Sequence, residues 1–137
     1  MSRTTYEATL TIPKGTTRSA PVSATLETAP GRLRLFRLVV PPGPRGEVSL
    51  WLNHQTHQLL PVPPGTYNNL DDITIVENVD LEIPTNEADF TLYGIAPNAS
   101  FDHTVSFALS VESASPETLI GTAQAVISRV ASFFEGD

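Results

Sequence analysis

From residue 6 to residue 111 the chain repeatedly alternates apolar and polar side chains with a period of two. Tyr6, Ala8, Leu10 and Ile12 fall on one side of a run whose other side is Glu7, Thr9 and Thr11. Val48, Leu50 and Leu52 alternate with Ser49, Trp51 and Asn53. The longest example is 103–111, where Val105, Phe107, Leu109 and Val111 alternate with Thr104, Ser106, Ala108 and Ser110. Successive side chains of a strand point to opposite faces, so such runs predict half-buried, antiparallel strands. Further runs lie at 33–40, 57–60, 73–77, 79–83 and 90–95, which makes about eight strands. Three arginines mark the stretch around 33–40: Arg34 and Arg37 interrupt its otherwise apolar run and Arg32 directly precedes it. No helical pattern separates these strands, which argues against βαβ units and for a mainly β fold: an antiparallel sandwich or barrel.

Turn residues punctuate the runs at short intervals: Pro13 and Gly15, Pro30 and Gly31, 41–46, Pro63 to Gly65, Asn68 and Asn69, Pro84 to Asn86, and Pro97 with Asn98. Proline presets φ for a turn and cannot donate to a central ladder, and glycine supplies positive φ. Short apolar runs between such signals belong to a sandwich or barrel.

The period changes after Glu112. Ser115, Pro116 and Glu117 read as an N-cap, a proline in the first helical position and an acid in the first turn. Leu119, Ile120, Ala123, Val126, Ile127, Val130, Phe133 and Phe134 then recur at three- and four-residue steps. The pattern predicts one amphipathic helix over 116–134, about 28 Å long at 1.5 Å per residue, with Gly136 as its stop. The expected organisation is a β-domain over 1–113 and a C-terminal helix over 114–137. That helix is either part of the same domain or an oligomerisation element. Its apolar stripe must be buried, against its own sheet or against copies from neighbouring chains. The polar far side excludes a membrane span, and its single arginine disfavours membrane-surface binding.

Composition sharpens this picture. At 137 residues the chain has the size of one domain. Charged residues make up only 17%, against an average of about 25%. The net charge of −7 hides an asymmetry. Residues 1–46 carry seven of the eight basic residues and two acids, hence +5; residues 47–137 carry −12. Either strands of the two parts interleave and the charges mix, or one face is basic and another acidic, as in surfaces that steer association. The acidic total and the lack of a basic run with interleaved aromatics argue against a nucleic-acid partner. The absence of cysteine excludes disulfides, thiolate zinc sites and a cysteine nucleophile. The N-terminus lacks the apolar core of a signal peptide, so a cytoplasmic origin is expected.

Candidate chemistry is sparse. The chain has no phosphate-binding glycine loop and no Gly-x-Ser-x-Gly elbow. His54 and His57 lie three apart without a nearby third ligand, which reads as polar surface rather than as a metal site. Asn68, Asn69, Asp71 and Asp72 offer four oxygen-bearing side chains in five residues. They admit calcium, but an Asx-rich turn explains them equally well. Glu77, Asp80 and Glu82 could supply a carboxylate pair, yet such proximity is expected by chance in an acidic chain. Asn98 heads a glycosylation-type triplet that carries little weight without a secretory signal. No catalytic residue, cofactor or metal is assigned.

The layout of Ile12 to Thr17, 33–40, Pro42 to Gly46, Leu59 to Pro61 and Asp71 to Ile75 resembles the small β-domains of tailed-bacteriophage virions, most of all capsid decoration, or cement, proteins. The resemblance covers most of the chain and contains no diagnostic motif. It implies a compact, non-enzymatic structural protein of the virion, often a homotrimer, that binds the major capsid protein or another virion protein on the outer shell. The C-terminal helix departs from many such proteins and leaves a tail or vertex position open. The expected association surfaces are Arg32, Arg34 and Arg37 on the early strand and Leu119, Ile120, Val126, Ile127, Val130, Phe133 and Phe134 on the helix. The alternative is a carbohydrate- or receptor-binding β-module, for which Trp51, Tyr67 and Tyr93 are the few aromatic candidates.

Overall fold

The computed structural model describes residues 2–113. The helix expected over 116–134, with Leu119, Ile120, Val126, Ile127, Val130, Phe133 and Phe134, lies outside the described residues. Within them the chain forms nine strands: β1 (Ser2–Ile12), β2 (Val22–Glu27), β3 (Gly31–Val40), β4 (Val48–His54), β5 (His57–Leu60), β6 (Tyr67–Leu70), β7 (Ile73–Ile83), β8 (Asp89–Ile95) and β9 (His103–Ser113). They build two antiparallel sheets. Sheet I has the order β1-β9-β3-β7; sheet II has the order β2-β8-β4-β5, with β6 also paired to β4.

The expected count of about eight is corrected to nine by two additions and one fusion. The runs at 73–77 and 79–83 are one strand, β7, whose odd-numbered residues turn inward from Ile75 to Ile83. Strand β2 was not anticipated, because its inward positions, Val22, Ala24 and Leu26, are only half-buried. Strand β6 carries two asparagines and reads as a turn, yet pairing with β4 overrides that local preference.

The inward faces of the two sheets share one apolar cluster, with Phe36, Leu38, Phe107 and Leu109 from sheet I and Leu50, Leu52, Phe90 and Leu92 from sheet II. All eight are at most 2% exposed. Ile12 of β1 in sheet I packs against Gly94 of β8 in sheet II. A Cβ built on Gly94 would sit 2.8 Å from Ile12 Cδ1 and 2.9 Å from Leu50 Cδ2. Glycine in this strand thus makes room for a neighbouring layer.

An irregularity in β3 explains how its arginines coexist with an apolar run. Leu33 is paired with Val111 of β9, but Leu35 is paired with Ser110, so β3 carries one residue more than β9 there. The bulge shifts the alternation, so that Leu33 and then Phe36, Leu38 and Val40 point inward. Without it, Arg34 and Arg37, an odd number of positions apart, would face opposite sides of the sheet.

Candidate binding face

Strand β4 buries Val48, Leu50 and Leu52, and this inward set turns Ser49, Trp51 and Asn53 to the outer face of sheet II. Strand β8 does the same with Phe90 and Leu92, which turns Thr91 and Tyr93 outward. The register places Trp51 directly opposite Tyr93. Their rings stack at 5.4 Å between centroids and 12° between planes, and both residues are half-buried.

Arg18 completes the cluster. It sits in a turn closed by the Ala20 N–H donating to the Thr17 carbonyl at 3.1 Å. The same loop is pinned to the 96–102 segment. Gly15 N donates to Ala96 O and Ala96 N to Thr16 O, both at 2.9 Å, and Lys14 N donates to Asp102 Oδ1 at 2.9 Å. So held, the Arg18 guanidinium lies 5.2 Å from the centre of the Trp51 ring, within cation–π range. The next row across the sheet is Thr25, Thr91 and Asn53, with the two threonine hydroxyls 3.0 Å apart. Asn53 Oδ1 is buried without a hydrogen-bond partner. Beyond Trp51, Ser49 Oγ donates to Asn68 Oδ1 at 2.9 Å. The face offers a stacked aromatic pair, a cation over one of its rings and a fringe of hydroxyl and amide groups. Its chemistry is contact and hydrogen bonding.

The other sequence candidates fall elsewhere. Arg32, Arg34 and Arg37 share the outer face of sheet I, each engaged in an ion pair within the chain. Arg32 and Arg34 reach Asp80 at 2.8 and 3.0 Å, Arg34 also reaches Glu112 at 2.9 Å, and Arg37 reaches Glu7 at 3.4 Å. Glu7, Ala108 and Arg37 lie in one row across three strands, so the Arg37–Glu7 pair passes over the small Ala108 side chain. The hydrogen bond from Arg32, its charge and the charge of Arg34 hold the Asp80 carboxyl below the usual carboxylate range. On this face the charges of the two chain halves therefore mix.

Tyr67 lies between the sheets, stacked on Phe36 at 6.5 Å. His54 and His57 flank the two-residue turn between β4 and β5. His54 stacks on Phe90 at 4.7 Å and donates from Nε2 to the Glu87 carbonyl at 2.6 Å. Asp71 accepts from Arg45 N at 3.1 Å and Gly43 N at 2.9 Å, the two bonds that draw its carboxyl below the usual range. That Asx-rich stretch thus serves as a brace between the 41–46 loop and the β6–β7 corner. Among the described residues no group of three or more His, Asp or Glu is placed to hold a metal ion.

Sequence reading found Trp51 and Tyr93 as separate aromatics but missed Arg18 and the 25–91–53 row. The missing signal was β2, without which neither the loop before it nor its register against β8 can be placed.

No protein-family model matches the chain, and no curated protein matches it in sequence. Among solved structures, the chain is similar to the CBM36-1 domain of a multidomain xylanase from the hindgut metagenome of Trinervitermes trinervoides. That similarity has a TM-score of 0.48 and 11% identity over 83% of this chain and 100% of that one. It is also similar to the Tobacco streak virus coat protein, with TM-score 0.44, 10% identity, and 83% and 88% of the two chains covered. A third similarity is to Bacillus endospore appendages that form disulfide-linked pili, with TM-score 0.43, 12% identity, and 82% and 90% covered. At these scores the likenesses transfer no function to this chain.

Proposed function

We propose that this chain is a non-catalytic structural β-sandwich module of a virion, in the manner of a capsid decoration protein. It binds the outer surface of an assembled shell through the outer face of sheet II. The observation that carries this reading is the Trp51–Tyr93–Arg18 cluster. Trp, Tyr and Arg are the residues that dominate binding energy at protein interfaces. Here Trp51 is held by Tyr93 beside it and Arg18 over it, so little side-chain freedom remains to be lost on association. The resemblance of the layout to tailed-phage β-domains points to the partner: the major capsid protein or another shell protein, with further copies of this chain as neighbours. Its place of action is then the virion.

The arginine strand plays a smaller part in this reading than its sequence suggests. Arg32, Arg34 and Arg37 would have to give up intrachain partners to meet a new acidic surface. Co-sedimentation of the chain with assembled shells tests the proposal: wild type pellets with them and Trp51→Ala stays in the supernatant. A chain that ignores shells, or a variant that still pellets, contradicts it.

One observation favours a second reading. A stacked, nearly parallel Trp–Tyr pair fringed by Thr25 and Thr91 hydroxyls also offers aromatic contact to a sugar ring. Glycan-array binding that disappears in Trp51→Ala, without shell binding, selects it.

A further inference from the structure

The two flanks of the sandwich are not alike. On one, β1 of sheet I packs along β2 of sheet II and also meets β8. On the other, β7 packs along β3 and, among the described residues, along no strand of sheet II. The Tyr67–Glu77 hydrogen bond bridges the gap there. Ile75, Glu77, Val79 and Leu81 therefore point toward the interior but stay only half-buried, whereas Ile83 at the end of the strand is 2% exposed. A half-open row of aliphatic side chains is a surface for one more element. The chain carries such an element directly after β9. Ser113 stands level with Gly31, and Gly31 pairs with Ile83 at the end of β7. Strand β7 is two positions away from β9, about 10 Å at the usual strand spacing. The chain from 113 to 116 spans that gap when extended. The apolar stripe expected over 116–134 is about 28 Å long, and β7 from Ile83 back to Ile75 measures about 26 Å.

We infer that residues 116–134 of the same chain dock as a helix along this open flank, antiparallel to β7 and starting at its Ile83 end. The rises of helix and strand give the register. Ile120 stands level with Leu81, and Phe133 stands level with Ile75. Arg129 falls about 20 Å beyond residue 116, and Glu77 lies about 20 Å from Ile83. The two are thus level. Arg129 is the one basic residue after Arg45, and it borders the apolar stripe. Glu77 is the inward carboxylate of β7 and has no cation partner among the described residues. A carboxylate accepts several hydrogen bonds, so the Tyr67 hydroxyl and Arg129 share it. The outer sheet faces fit an apolar stripe worse. That of sheet I carries the Arg34 and Arg37 ion pairs, and that of sheet II carries Arg18 and the threonine row. The inference goes beyond shell binding, and it leaves the Trp51 face open.

The chain has no cysteine, so introduced pairs report without background. The full chain carrying Leu81→Cys with Ile120→Cys is oxidised mildly beside one carrying Ile75→Cys with Ile120→Cys. Non-reducing electrophoresis and intact mass read the products. The expected result is an intrachain disulfide in the first pair and none in the second, which the register holds about 20 Å apart. No disulfide in the first pair, or equal crosslinking in both, overturns the proposal. A crosslink that joins two chains also overturns it, because that outcome assigns the segment to a neighbouring copy. A second measurement leaves the aliphatic row intact. Arg129→Glu should lower the melting temperature of the otherwise wild-type chain and change it little in a Glu77→Gln background. An equal drop in both backgrounds, or no drop in either, overturns the register.

Discussion

The phenol of Tyr67 donates to Glu77 Oε2 across 2.9 Å, and this bond ties β6 of sheet II to β7 of sheet I. Burial, the bond itself and the carboxylate's charge all push the Tyr67 hydroxyl well above its ordinary value of 10.0. A raised value means that the stabilisation is fully present below the ordinary tyrosine range and is lost as pH rises beyond it. Tyr67→Phe should cost about 1 kcal/mol at neutral pH, since the bond is only half-buried. In alkali the variant should lose less stability than wild type. Denaturant melts at neutral and alkaline pH check both outcomes, and an identical alkaline loss in the two proteins contradicts the coupling.

Two glycines report on different constraints. Gly94→Ala puts a methyl group into Ile12 and Leu50. Those are side chains that can shift, so the expected loss is about 1–3 kcal/mol, as for other overpacked cores. Gly31 has φ of +151°, and a Cβ there would press on the Glu112 carbonyl oxygen, with Ser113 Cα at 2.9 Å. Backbone of a paired strand cannot yield as a side chain does, and the conformation itself is strained for alanine. Gly31→Ala should therefore be the more destabilising of the two in thermal melts.

Asp71 braces two loops through the Arg45 and Gly43 N–H groups. Its lowered value means that its contribution to stability is present above the ordinary carboxylate range and is lost as pH falls toward the lowered one. Asp71→Asn should reduce thermal stability at neutral pH and weaken the acid dependence of melting. Equal melting curves from neutral to acid pH in variant and wild type refute the brace.

The sheet architecture was legible because strands such as β4 and β9 bury every second residue so completely that period two survives in the sequence. Strand β2 escaped notice because half-burial of Val22, Ala24 and Leu26 leaves only a weak contrast with Ser23, Thr25 and Glu27. Strand β6 escaped because asparagine's turn preference is local and its pairing with β4 is not. The two aromatics of the binding face were visible as residues but not as a pair, since their contact depends on the register of β4 against β8. Arg18 was invisible for the same reason. Its loop is aimed by hydrogen bonds to residues about eighty positions away. The charge asymmetry left two arrangements open, mixed charges or one basic and one acidic face. Strand pairing brings β3 between β7 and β9, whose Asp80 and Glu112 meet its arginines, so on this face the charges mix.

The central claim is that the outer face of sheet II binds a shell, and its most direct measurement is a binding titration. Gradient-purified virus shells from the source of this chain are titrated with wild type, Trp51→Ala and the control Thr74→Ser. Losing a central aromatic anchor worth at least about 2 kcal/mol corresponds to roughly a 30-fold weaker affinity. The account predicts that loss for Trp51→Ala with the fold retained by circular dichroism, and wild-type affinity for Thr74→Ser. Equal affinity of Trp51→Ala and wild type for the shells would contradict it.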